Sequence, residues 1–170
     1  MASIIKANQL QDFGGNSIIG SDGAGNLTTQ KTNYPAFFAY PSSSQTATHN
    51  TSVKILFQTE SYDTNSAFTD SKFTVPSGQA GKYYIYASVY GEAAANATLE
   101  SNKVMIYING TQSFYNSNDF RTNQIRSFTS TVSSSFDLSV GDYIEAWAFI
   151  NVGNTNGIIQ PIFIGHKLIG

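Results

Sequence analysis

Few residues of the chain have the types and spacing that catalysis or metal binding requires. The two histidines, His49 and His166, lie far apart, and neither belongs to a His-x-x-x-His or Glu-x-x-His pair. The 170 residues include no Cys, so thiolate nucleophiles and thiolate metal ligands are excluded. No nucleophile elbow with an ordered Ser-His-Asp set is present. The sequence therefore predicts a protein that is not an enzyme and has no cofactor.

One cluster of acidic residues has a spacing that could form a metal site. Glu60, Asp63 and Asp70 lie within eleven residues, and Ca²⁺ binds six to eight oxygen ligands. A structural calcium ion is therefore an alternative, but an ordinary solvated loop is the preferred interpretation. In that interpretation, the side chain of Asp63 caps a turn. A carboxylate pair for glycoside hydrolysis is a further, disfavoured alternative.

The composition limits the kinds of partner. Charged residues are 12% of the chain and the net charge is −2, whereas soluble domains usually have about 25% charged residues. No block of Lys or Arg is present, which disfavours nucleic acid as a partner. No window approaches the ~20 apolar residues of a membrane span, which disfavours membrane insertion. The first residues lack the apolar run of a signal peptide, which favours synthesis in a cytoplasm.

Most of the sequence is a succession of short segments with the pattern of β-strands. β-Branched and aromatic residues alternate with other types, and Gly, Pro, Asn and Ser separate the segments, which predicts an all-β sandwich or barrel. Asn109-Gly110 is a strong signal for a tight hairpin turn. The predicted strands are residues 35–40, 53–57, 72–75, 82–90, 104–108, 128–138, 142–150 and 158–164.

Residues 1–33 differ from the rest of the chain. They are rich in Gly, Asn and Asp, and only short apolar clusters interrupt them, so they cannot form a core of their own. We therefore divide the chain into an extended N-terminal arm, residues 1–33, and a β domain, residues 34–170. A disordered tail, or a first strand of the domain, are the alternatives for the arm.

Residues 57–87 resemble the globular head of complement C1q and the tumour necrosis factor (TNF) superfamily. The family spaces an aromatic residue, an Asn or Asp six residues later, and an aromatic five further; Phe57, Asp63 and Phe68 hold these spacings. A Gly-x-Tyr-x-aromatic motif follows in the family, and residues 81–85 match it with Ile in place of the second aromatic. The aromatic expected between the two motifs falls at Val75, with Phe73 two residues earlier.

The resemblance extends over residues 35–170. Four further segments follow the family's order: the opening aromatic strand, a strand ending in Asn-Gly, a Leu-x-x-Gly-Asp element before an alternating strand, and a closing strand with aromatic-x-Gly-x-x-Leu. In this chain they are residues 35–40, 106–110, 138–147 and 163–168.

The resemblance implies a jelly-roll sandwich and a homotrimer about a threefold axis. Tyr83, Tyr107 and Phe163 are the candidates for the trimer interface, because they alternate on strands that the family places near the axis. The alternative is that these three side chains fill the core of the single chain. Tyr suits an interface because its ring can be buried while its hydroxyl is paired.

The arm carries a second resemblance. Residues 1–19 read Met-Ala-Ser-Ile-Ile-Lys, then Leu-Gln-Asp, then Gly-Asn-Ser-Ile-Ile, and they resemble the start of small structural proteins of tailed phages, especially marine and cyanobacterial ones. This resemblance implies a place in the virion and an arm that docks on a capsid or tail protein. The candidate docking side chains are Ile4, Ile5, Leu10, Ile18 and Ile19.

These observations predict a phage capsid decoration (cement) protein, with the arm on the shell and the trimeric head projecting outward. The alternative is a tail-fibre or receptor-binding head that recognises a host surface glycan or protein. For that role we expect a loop over residues 113–124, in which Phe114, Tyr115 and Phe120 are aromatic among polar residues. Their other interpretation is that they anchor this loop to the sheet.

Overall fold

The computed structural model describes residues 9–15, 17–21, 23–24, 26–29, 34–94, 97–153 and 156–169. The chain divides into two units, residues 1–33 and residues 34–170. The described residues form fifteen β-strands and no helix, so no helix in this part of the chain could span a membrane. The all-β prediction is confirmed.

The described part of the first unit is an antiparallel sheet of three short strands. Strands β1 (Gln9–Gln11), β2 (Ser17–Ser21) and β3 (Leu27–Thr29) pair in the order β1-β2-β3. Gly15 has a φ of +80°, and its N–H donates to the Asp12 carbonyl at 3.0 Å in the turn between β1 and β2. Glycine adopts this left-handed conformation without steric cost.

The second unit contains two antiparallel six-stranded sheets. The strands are β4 (Ala36–Tyr40), β5 (Gln45–Ala47), β6 (Thr51–Lys54), β7 (Thr59–Asp63), β8 (Phe68–Thr69), β9 (Lys72–Thr74), β10 (Gly81–Ala93), β11 (Ser101–Ile108), β12 (Thr111–Asp119), β13 (Ser127–Leu138), β14 (Tyr143–Asn151) and β15 (Gly157–Ile169). In sheet I the order is β13-β10-β15-β4-β7, and β5 also pairs with β15. In sheet II the order is β12-β11-β14-β9-β8, and β6 also pairs with β14.

An aromatic cluster lies between the sheets. The ring of Phe37 on β4 lies 5.0 Å from Phe68, 4.9 Å from Phe73 and 5.0 Å from Phe163, measured between ring centroids. Phe37 packs over Gly165, where any side chain would collide with its ring. A close-packed interior tolerates such an addition poorly, so the core requires Gly at this position. Val75 is buried in the same core.

The Asn109-Gly110 turn connects β11 to β12 and also ties them to β14. Both residues have positive φ, +51° and +76°, as a type I′ hairpin turn requires. The Asn109 side chain donates to Asp142 Oδ1 at 2.8 Å, and its Oδ1 accepts from the Tyr143 N–H at 2.9 Å. The hydrogen bonds from Asn109 and from the Ser139 N–H lower the pKa of Asp142.

Strand β15 contains a proline in its middle. Pro161 pairs with Val89 of β10 on one side. On the other side, β5 pairs with residues 157–159 and β4 with residues 163–166. Proline has no N–H to donate to a sheet, and Pro161 lies in the gap between these two partner strands. Because Pro161 interrupts no pairing there, β15 continues past it. The strand ends at Ile169, beyond the predicted end at residue 164.

The expectation of a loop over residues 113–124 is wrong. Residues 111–119 form β12, an edge strand that pairs along β11 from Ser101 to Ile108. Most of its side chains are exposed on both sides, so its polar sequence lacks the alternation of apolar residues that marks a half-buried strand. The loop itself begins only at Phe120.

Candidate assembly interface

Strand β10 presents two different sets of side chains. Successive side chains of a strand point to opposite sides, so Tyr83 points into the core, whereas Tyr84, Tyr86 and Tyr90 point outward from sheet I. The inward set is buried, and the three outward tyrosines are each partly exposed.

Apolar side chains from the neighbouring strands extend this outward surface, which we call the aromatic face. Several of them are strongly exposed for their type: Tyr62 is 45% exposed, Leu168 44% and Tyr40 38%. The Phe38 ring lies 5.7 Å from that of Tyr40 and 6.2 Å from that of Tyr62, between centroids. The aromatic face consists of Phe38, Tyr40, Tyr62, Tyr84, Tyr86, Tyr90, Ile162, Ile164 and Leu168.

The aromatic face has little charge. On β10, Lys82 and Glu92 lie only at the two ends of the strand, and β13 places small hydroxyl side chains beside the tyrosines: Ser133 lies opposite Tyr86, for example. Between the levels of Tyr84 and Tyr90, the outward positions of β4, β10, β13 and β15 carry no Asp, Glu, Lys or Arg. The ring of His166 lies beside this surface, 5.5 Å from that of Tyr84 between centroids.

A groove of about 870 Å³ crosses the aromatic face. Phe38, Tyr40, Tyr90 and Ile162 supply its apolar walls, and serines such as Ser88 supply hydroxyl groups. Large contiguous apolar surfaces are rare on monomeric proteins and mark interaction sites. Tyrosine contributes a large apolar area together with one hydrogen-bonding group. The arrangement is therefore suited to burial against another protein surface.

The three sequence-predicted interface residues lie elsewhere. Tyr83 and Phe163 are 0% exposed within the single chain, so they fill the core, which is the alternative that the sequence left open. The Tyr83 hydroxyl donates to the Gln79 carbonyl at 2.6 Å, and burial raises the pKa of Tyr83 to about 12. Tyr107 lies on the outward side of sheet II, stacked on Trp147 at 4.8 Å.

The predicted ligand-binding aromatics do not come together. Phe114 and Tyr115 are successive residues of β12 and therefore point to opposite sides of sheet II. Phe120 is partly buried against the core, and its ring lies 4.9 Å from that of Phe128. Phe120 thus anchors its loop to the sheet, in line with the second interpretation of this residue.

The predicted docking side chains of the arm divide into two groups. Leu10, Ile18 and Ile19 are exposed in the first unit. Ile4 and Ile5 lie outside the described residues. Phe13, which the sequence analysis did not select, is fully exposed in the turn between β1 and β2; a single aromatic residue among turn residues gave no periodic signal.

Of the three acidic residues that the sequence analysis considered as calcium ligands, Asp63 has a clear role in local structure. Asp63 accepts hydrogen bonds from the N–H groups of Phe68, at 2.8 Å, and Asn65, at 3.3 Å, so it caps the turn after β7. Within the part of the chain that the structure describes, no three His, Cys, Asp or Glu side chains lie close enough to hold a metal ion.

Comparison with solved structures identifies the fold. The globular domain of zebrafish complement 1qA aligns with a TM-score of 0.57 and 17% identity, over 79% of this chain and 98% of that chain. Murine APRIL at pH 5.0 aligns with a TM-score of 0.56 and 12% identity, over 79% and 99%. No family model and no curated protein matches the sequence. The two structural similarities show that the chain has the C1q/TNF-like jelly-roll fold.

Proposed function

We propose that this protein is a non-enzymatic structural protein that assembles as a homotrimer through the aromatic face. The observation that carries the proposal is the combination of large exposed rings with the lack of charge between Tyr84 and Tyr90. Water solvates such a surface poorly, and burial of apolar area contributes roughly 25 cal/mol per Å². Obligate interfaces of this composition bury upward of ~2,000 Å².

The threefold symmetry is supported by the family resemblance of residues 35–170. An isologous dimer would cover the same face, so the face alone does not select the number of copies. The tyrosine hydroxyls supply hydrogen-bonding groups that can pair across the contact. The Ser and Thr side chains of β13 are suitable partners, because they lie beside the tyrosines on the same surface.

The place of the trimer in a phage particle is supported by the resemblance of residues 1–19 to the openings of phage structural proteins. We propose a capsid decoration protein whose arm docks on the shell and whose head projects outward. Leu10, Ile18 and Ile19 of the arm are exposed on short strands. A small sheet of this kind gains stability when a partner covers its apolar side chains.

Deletion of the gene from the phage that encodes it tests the role in the particle. For a decoration protein, electron microscopy should show the loss of density at threefold positions of the shell, and the particles should release their genome at a lower temperature. Adsorption to the host should stay normal. Re-addition of the full chain should restore the density, whereas a chain that begins at Tyr34 should not.

Intact, stable shells with lost adsorption would contradict the decoration role. That result would favour the second candidate, a tail-fibre or receptor-binding head. One observation favours this candidate: Tyr107, Tyr115 and Trp147 leave aromatic surface on the outward side of sheet II, opposite to the aromatic face.

A further inference from the structure

The outward side of sheet II carries a second concentration of aromatic side chains, of a different kind. Strand pairing places Tyr115, Met105, Trp147 and Lys54 side by side in one row across β12, β11, β14 and β6. The neighbouring rows add aromatic and lysine side chains. We call the whole surface the lysine face: Lys54, Lys72, Lys103, Tyr107, Tyr115, Tyr143, Trp147 and Phe149.

The indole at the centre of the lysine face is held in place before any ligand arrives. Its Nε1–H donates to Glu145 Oε2 at 3.2 Å, and Glu145 Oε1 accepts from Lys54 Nζ at 2.7 Å. The Glu145 side chain is only 11% exposed. Tyr107 stacks on Trp147 at 4.8 Å, and Met105, 1% exposed, is fully covered in the same row. A platform fixed in this way loses little conformational entropy on binding.

The charge of this surface is opposite to that of the chain as a whole. Lys54, Lys72 and Lys103 are three of the nine Lys and Arg residues in a chain of net charge −2. On the outward positions of β6, β9, β11, β12 and β14, the carboxylates are Glu145 and Asp119, which are paired with Lys54 and Arg121. Two of the lysines lie over rings: Lys103 Nζ is 4.2 Å from the Tyr115 centroid and Lys72 Nζ is 5.1 Å from that of Tyr143.

A smaller groove, of about 260 Å³, continues the lysine face beyond Phe149. Its walls include polar residues: Asn50, Ser101, Ser117 and Asn151 provide amide and hydroxyl groups beside the ring of Phe149. The Arg121 guanidinium, bound to Asp119, lies at its edge. Groups of these types can bind the hydroxyls of a ligand that extends past the aromatic platform.

We propose that the lysine face binds an acidic polysaccharide. Sugar rings would pack on Trp147 and its aromatic neighbours, and carboxylates of the chain would pair with Lys54, Lys72 and Lys103. Binding sites of this kind combine apolar walls with a few placed polar groups, and ammonium–carboxylate pairs add charge-assisted hydrogen bonds. The proposal does not rest on the trimer, because the lysine face and the aromatic face lie on opposite sheets. A trimer would present three copies and add avidity.

Trp147 is the only Trp of the chain, so its fluorescence reports on this site directly. The full-length protein is titrated with hexamers of galacturonate, mannuronate and hyaluronan, and with neutral maltohexaose and sodium polyphosphate as controls. We expect a saturable change with at least one acidic hexamer, no change with maltohexaose, and weaker binding at high salt, because exposed ion pairs are screened.

The matched variants are a K72Q/K103Q double substitution and K82Q, which removes a lysine from the other sheet. The double variant should bind about tenfold more weakly, as the loss of two partly exposed ion pairs predicts, whereas K82Q should bind like the wild type. Circular dichroism and solution mass, measured on the same samples, show whether fold and assembly are intact. The proposal is overturned if no acidic hexamer binds at millimolar concentration, if maltohexaose or polyphosphate binds equally well, or if K72Q/K103Q binds unchanged.

Discussion

The two outward surfaces of the sandwich are both rich in aromatic residues, yet they differ in charge. The aromatic face of sheet I has no formal charge between Tyr84 and Tyr90, whereas the lysine face of sheet II places ammonium groups against its rings. An aromatic surface with lysines remains hydrated, because the cationic groups keep their contact with water. Aromatic content alone therefore does not distinguish the two surfaces, and the lack of charge between the rings is what supports the proposed assembly through the aromatic face.

The largest effect should come from placing a charge on the aromatic face. Tyr86→Arg would bury one unpaired guanidinium per copy at the proposed contact, which would cost several kcal/mol for each copy. We expect the variant to be monomeric in sedimentation experiments at micromolar concentration, at which we expect the wild type to be a trimer.

The matched control is Tyr115→Arg, which adds the same charge to the lysine face at a side chain that is 53% exposed. Its mass should equal that of the wild type. Dissociation of both variants, or of neither, would show that the two surfaces do not differ in the way described above.

A smaller effect, on the free energy of unfolding, should distinguish the inward and outward tyrosines of β10. Tyr83→Phe removes the hydrogen bond to Gln79 and should lower the free energy of unfolding by about 1 kcal/mol at neutral pH. Tyr84→Phe, on the outward side, should leave the stability of the fold almost unchanged. Thermal or urea unfolding of the two variants measures the difference.

The difference in the free energy of unfolding between the wild type and Tyr83→Phe should depend on pH in a definite direction. Burial raises the pKa of Tyr83 to about 12, above its ordinary value of 10, so its neutral form stabilises the fold below pH 10, and this contribution is lost as the pH rises from about 10 to about 12. The disadvantage of Tyr83→Phe should therefore shrink over this range. A constant disadvantage would mean that Tyr83 ionises as easily in the folded as in the unfolded chain.

The smallest effect on stability should come from a substitution on the lysine face. Glu145→Gln removes the ion pair with Lys54, whose side chain is 28% exposed, and should lower the free energy of unfolding by about 0.5–1 kcal/mol. It should also shift the emission of Trp147, because the indole loses a charged acceptor. Glu92→Gln, which removes the ion pair with Arg126, is the control: it should leave the emission unchanged.

The sequence was sufficient to predict the fold, but it was not sufficient to predict which side chains lie on the outward surfaces. Turn residues such as Asn109-Gly110 act locally and predicted a β sandwich or barrel, and the family resemblance that includes the spacing from Phe57 to Phe68 implied the jelly roll. The choice between Tyr83 and Tyr84 depends on which side of β10 is covered by the other sheet, and both sides of this strand carry tyrosine. The sequence analysis selected Tyr83, and the structure buries this side chain in the core.

The lysine face could not be predicted from the sequence, for a related reason. Lys54, Lys72 and Lys103 lie on three strands far apart in sequence, and only the pairing of β6, β9 and β11 with β14 brings them together. Strand β12 was missed because an exposed edge strand has polar side chains on both sides. The lysine face thus depends on the register between distant strands, whereas β12 lacks the local alternation of apolar residues by which a strand is recognised.

The solution mass of the full-length protein tests the central claim most directly. The single chain has a mass of 18.4 kDa, and sedimentation equilibrium at micromolar concentration should give three times this value. A mass of 18.4 kDa would contradict the account, because it would mean that the aromatic face stays exposed to water in the isolated protein.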